Sequence, residues 1–69
     1  MLKSKYLSVR EQNVIKLIAL NYTNKKIAKE LYMSESTIKS EVSNIIKKLN
    51  ANGRIHATVI AYKNRLISN

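Results

Sequence analysis

From Thr23 to Leu49 the chain reads TNKKIAKELYMSESTIKSEVSNIIKKL, with apolar residues at helical spacing and a single break at Tyr32-Met33-Ser34. A pattern of that kind admits two helices joined by a short turn and little else. Thr23 is the N-cap candidate of the first of them, and Ile27, Ala28 and Leu31 form its inward face. Lys26 stands where a capping-box Glu would go, so that box is incomplete. Met33 is expected to plug the corner between the helices. Ser34 caps the second helix, with Glu35 favourably placed in its first turn.

Side chains on this second helix can be placed at about 100° per residue. Ile38, Val42, Ile45, Ile46 and Leu49 then fall within about 100° of arc. Opposite them lie Ser36, Ser40, Ser43, Asn44 and Lys47, with Lys39 and Glu41 on the two flanks. One side is built to be buried. The other offers short donors and acceptors plus lysine, with no large apolar group.

Two further helices follow from the same reasoning. Ser8-Val9-Arg10-Glu11 is a capping box that opens a helix with Val14, Leu17, Ile18 and Ile15 on its apolar side. Asn21 is a suitable left-handed stop. Asn50-Ala51-Asn52-Gly53 is a turn, and a last helix is expected from about Arg54 to Ile67. That helix carries two apolar faces. Ala57, Ile60 and Ala61 make one. Ile55, Val59, Tyr62 and Leu66 make the other on the opposite side, where a lone subunit would need none.

The rest of the chain offers no competing architecture. It has no Pro, Cys, Trp or Phe and a single Gly, so an all-α domain without disulfides or thiolate metal sites is expected. At 69 residues it is one small domain, residues 1–69, that buries only about 60% of its unfolded surface and is marginally stable. Residues 1–6 are expected to form a flexible N-terminal extension. No apolar run reaches the length of a membrane span, and the N-terminus lacks a signal-peptide core, so a cytoplasmic protein without membrane contact is expected.

Thirteen Lys and Arg against four acids, all Glu (Glu11, Glu30, Glu35 and Glu41), leave a net charge of +9. A polyanion is the expected partner. A basic chain with a polar helix face after a tight turn is how a helix is made to lie in a DNA groove. Lys26, unfavourable at its helix N-terminus, reads as a cation held near phosphate. His56 is the only His, and there are no paired carboxylates or Gly-rich phosphate motif. An enzyme, a metal site, a cofactor and a small-molecule ligand site are therefore not expected, and His56 reads as a surface side chain.

LSVREQNVIKLIA, then TNKKIAKELYMSESTIKSEVSNIIKKL, then Arg54, Ala57 and Ala61 resemble the LuxR-type helix-turn-helix family, also called FixJ- or GerE-type. The resemblance runs from about Leu7 to Leu66. It implies a four-helix fold whose third helix enters the major groove and whose fourth pairs two subunits on DNA. Carried over, the base-reading positions are Lys39, Ser40 and Ser43, to which the helix geometry adds Asn44. The backbone-contact positions are Asn24, Lys25, Ser36, Thr37 and Lys47. The resemblance also implies an ion pair between Glu11 and Arg54. Glu41 departs from the family, which often has His there, and Lys26 replaces a frequent Glu.

The chain thus reads as a regulator of bacterial transcription that binds double-stranded DNA as a homodimer, with RNA polymerase a candidate further partner. Because LSVRE begins so near Met1, a complete stand-alone regulator is expected, against an output domain cut from a response regulator. Region 4 of a sigma factor carries a similar helix-turn-helix, but the fourth helix beginning at Arg54 argues against it. Outside DNA binding, the composition also suits a basic helical protein-interaction module.

Overall fold

The computed structural model describes residues 7–65 and shows four helices, with no strand among those residues. They are α1 (Val9–Ala19), α2 (Asn24–Leu31), α3 (Glu35–Lys48) and α4 (Arg54–Lys63). The expected N-terminal extension, residues 1–6, lies outside the described residues, as does Leu66.

Local chemistry sets the helix ends. Ser8 Oγ accepts from the Glu11 N–H at 3.1 Å, and Glu11 Oε1 accepts from the Ser8 N–H at 2.8 Å, so the capping box of α1 is complete. Thr23 Oγ1 accepts from the Lys26 N–H, and Ser34 Oγ from the Thr37 N–H. The first three helices each close through a left-handed residue: Asn21 (φ 70°), Tyr32 (φ 56°) and Asn50 (φ 55°). After each of them the next N–H returns to a carbonyl in the last turn: Tyr22 to Leu17, Met33 to Ala28, Ala51 to Ile46. That 6→1 bond satisfies a carbonyl the helix end would otherwise orphan.

The helix α4 starts differently. Gly53 provides no side-chain cap, and the N–H of Asn52 donates instead to His56 Nδ1 at 2.9 Å. His56 is exposed, as expected, but it also ties the α3–α4 turn to the first turn of α4. The helix ends at Lys63, short of the expected Ile67, because Arg65 turns left-handed (φ 57°).

The helix α3 packs against each of the other three. Its Ile38, Val42, Ile45 and Leu49 are buried with Val14, Ile15 and Ile18 of α1, Ile27 and Ala28 of α2, and Ala57 and Ala61 of α4. Each large aliphatic side chain so buried contributes roughly 1.5–3 kcal/mol. The two alanines are small enough to let α4 lie close on α1. Met33, Leu17, Leu31, Ile46 and Ile60 are partly buried around this core.

Two ion pairs run from the first turn of α1 to α3. Lys48 Nζ lies 2.9 Å from Glu11 Oε1, and Arg10 Nη1 lies 3.1 Å from Glu41 Oε2. The expected Glu11–Arg54 pair does not form. Glu11 faces the last turn of α3, where Lys48 reaches it. Arg54 reaches the loop before α2 instead, donating to Asn24 Oδ1 at 2.8 Å and Tyr22 O at 3.2 Å.

Burial opposes ionisation of Glu11, but the Lys48 ammonium and the hydrogen bonds from Ser8 outweigh it and hold the carboxyl below the usual glutamate range. A carboxyl depressed in the folded chain binds fewer protons there than in the unfolded chain. Its stabilisation is complete above an ordinary pKa of about 4.3 and is lost as pH falls through the folded value. Glu11→Gln should therefore flatten the fall in stability between about pH 5 and pH 3. Urea midpoints of both proteins across that range check this, and parallel curves would contradict it.

Candidate nucleic-acid interface

Burying the isoleucine side of α3 fixes what its other side presents. Ser36, Lys39, Ser40, Ser43, Asn44 and Lys47 are exposed. Thr37 differs from them. It is half-buried, and its hydroxyl lies 2.8 Å from Ser34 Oγ, which also sits 3.3 Å from Ser36 Oγ. The Ser34 hydroxyl therefore gathers the first turn of α3, and Thr37 Oγ1 is already engaged within the chain.

The first turn of α2 adds positive charge. Lys25 and Lys26 are exposed, and Asn24 is half-buried. A shallow open depression of about 240 Å³ is lined by Thr23, Lys25, Lys26 and Lys29. Lys29 is absent from the expected contact set, although it stands four residues after Lys25 and three after Lys26, the spacing of helix neighbours. Lys26 Nζ stands 4.5 Å from the centroid of the Tyr22 ring. That cation–π contact, worth about 0.5–1 kcal/mol at an exposed site, offsets part of the cost of a lysine at a helix N-terminus.

Glu41 is turned toward α1, with its side chain 18% exposed and its carboxylate on Arg10. Its charge is thereby matched by an arginine beside the polar face of α3. With Glu11 on Lys48, two of the four carboxylates are paired within the chain. Lys25, Lys26, Lys29, Lys39 and Lys47 make no ion pair with any described carboxylate.

On α4 the two apolar faces separate as their spacing predicts. Ala57 and Ala61 are buried, whereas Ile55, Val59 and Tyr62 are 64%, 52% and 42% exposed. Leu66, expected to continue that outer stripe, lies outside the described residues. Among the described residues no helix is long and apolar enough to cross a membrane.

Residues 5–61 match the family described as bacterial regulatory proteins, luxR family (GerE). The uncharacterized transcriptional regulatory protein YvfU of Bacillus subtilis (strain 168) is 49% identical over 55 residues, 80% of this chain and 28% of that protein. The transcriptional regulatory protein DegU of Brevibacillus brevis is 45% identical over 58 residues, 84% of this chain and 25% of that protein. The nitrate/nitrite response regulator protein NarL of Escherichia coli (strain K12) is 38% identical over 60 residues, 87% of this chain and 28% of that protein. The chain spans about a quarter of the length of these curated relatives. A solved structure of the transcription factor GerE superposes with a TM-score of 0.85 at 32% identity, covering 90% of this chain and 92% of that one.

Ser34 holds the first turn of α3 through three contacts, to the N–H and hydroxyl of Thr37 and the hydroxyl of Ser36. Ser34→Ala should cost about 1 kcal/mol, the usual loss for an N-cap. Urea unfolding measures it, and an unchanged midpoint would show the cap to be idle.

Proposed function

This chain belongs to the luxR family of bacterial regulatory proteins, DNA-binding transcription regulators with a helix-turn-helix domain that binds double-stranded DNA, and we propose that it acts as a homodimer on two half-sites. The carrying observation is the division of α3 into an apolar side packed on the core and an exposed polar side bearing Lys39, Ser40, Ser43, Asn44 and Lys47. A helix so divided can enter the major groove without leaving apolar surface in water.

The roles divide by chemistry. Lys25, Lys26, Lys29 and Lys47, with Asn24 and Ser36, lie against the phosphate backbone and set the register. The Thr37 hydroxyl is tied to Ser34, so its contribution is to shape the turn. Lys39, Ser40, Ser43 and Asn44 face base edges, where Lys suits guanine O6 and N7 and Asn suits adenine, while Ser discriminates weakly. One such surface is a poor code. Two of them at half-sites about one helical turn apart are a better one, and the exposed Ile55, Val59 and Tyr62 supply an apolar face for the second subunit. A cytoplasmic location and contact with RNA polymerase go with this reading. It holds for the chain acting alone or as the output end of a longer regulator.

Lys47→Ala should weaken binding similarly on all duplexes and reduce the salt slope by about 1. Affinity measured over a salt series checks this, and an unchanged slope removes Lys47 from the backbone contacts. Lys39→Ala should relax preference at one base pair by roughly 1–3 kcal/mol. Site selection from random duplexes followed by single-base variants tests it; equal loss on every sequence argues against base reading. Val59→Asp should reduce affinity for a two-half-site operator far more than for a single half-site. Equal losses on the two in gel-shift titrations would sink the dimer face.

A further inference from the structure

Arg54 is the first residue of α4, yet its side chain crosses to the start of α2. Nη1 donates to Asn24 Oδ1 at 2.8 Å and Nη2 to Tyr22 O at 3.2 Å, and both Arg54 and Asn24 are half-buried. A guanidinium has donors only, whereas a primary amide has an acceptor on one branch and two donors on the other. The fork therefore decides which way the Asn24 amide points. Oxygen turns inward to Arg54, and the amino group takes the opposite side. No described group accepts a hydrogen bond from Asn24 Nδ2, and no buried side-chain polar atom among the described residues lacks a partner. The amino protons accordingly face water, in the same helical turn as Lys25 and Lys26.

We infer that Arg54 is a positioning residue for DNA binding: it locks the Asn24 amide so that the amino group is presented as a donor to a backbone phosphate. The inference rests on the proposed placing of α2 against the phosphate backbone. A phosphate only accepts hydrogen bonds. With the amide reversed, its oxygen would meet phosphate oxygen and its amino group would meet the guanidinium, so both contacts would repel. Arg54 thus favours the one orientation that DNA can use, before DNA arrives. The second arm of the fork, on the Tyr22 carbonyl, fixes the loop leading into Thr23 and Asn24. A lysine would bring the same charge but only a point donor, and could not hold the two acceptors in one plane.

A double-mutant cycle on the selected operator tests this, using fluorescence anisotropy with Asn24→Ala, Arg54→Met and the pair. Arg54→Met should weaken binding roughly tenfold when Asn24 is present, the scale of one hydrogen bond to a charged group. In the Asn24→Ala background the same change should cost no more than about twofold. Arg54→Lys, which keeps the charge, should lose most of the same affinity, and it replaces Arg54→Met in the cycle if circular dichroism shows that variant unfolded. Equal losses in the two backgrounds would overturn the positioning role. Independently of any variant, the Asn24 side-chain amide resonance of the parent protein should shift when duplex is added, and an unmoved resonance also overturns it. If the parent chain binds no duplex even at low salt, the DNA-contact assignment itself fails and takes this role with it. Binding with an additive cycle removes the role of Arg54 alone.

Discussion

Ile38, Val42, Ile45 and Leu49 leave water together, and α3 meets α1, α2 and α4 so that they can. In a domain this small the margin of stability is a few kcal/mol, and one buried isoleucine is a large share of it. The rotation of α3 about its axis is therefore not adjustable. Whatever lies opposite the isoleucines has to face outward. The polar side of α3 is thus held at a fixed angle by apolar packing that takes no part in contacting a ligand.

Charge then works within that frame. The chain has few carboxylates, and it engages Glu11 and Glu41 in α1–α3 pairs. Surface pairs of this kind contribute at most about 1 kcal/mol each, so their main effect lies in distribution. They neutralise Glu11 and Glu41 beside α3, while Glu30 of α2 and Glu35 of α3 stay exposed. Glu41 is the clearest instance. On a helical wheel it flanks the polar face and would repel phosphate, but in the fold Arg10 neutralises it.

The sequence made the helices, their caps and the buried side of α3 legible, because each depends on residues within a few positions of one another. Ser8 with Glu11, Asn21, and the isoleucine spacing all belong to that class. What was not legible depends on how helices cross. Glu11 could have met any cation brought near the start of α1, and only the packing of α1 on α3 selects Lys48 over Arg54. The partners of Arg54 are likewise a product of where α4 lands against the loop before α2. Lys29 could have been found from its spacing to Lys25 and Lys26. The early end of α4 could not, since Arg65 has no intrinsic preference for the left-handed region. The roles of Lys39, Ser40, Ser43 and Asn44 rest on exposure and chemistry and belong with the proposed function.

The connections between helices are three to five residues long. Short connections keep most contacts close along the chain, and helical domains with local contacts fold on the microsecond to millisecond scale. The outward face of α3 exists only while its inward face is packed, so a transient unfolding event erases the whole surface at once. Rapid refolding restores it just as completely. In kinetic terms the surface is either entirely present or entirely absent, and its lifetime is set by the core, not by the residues that make it up.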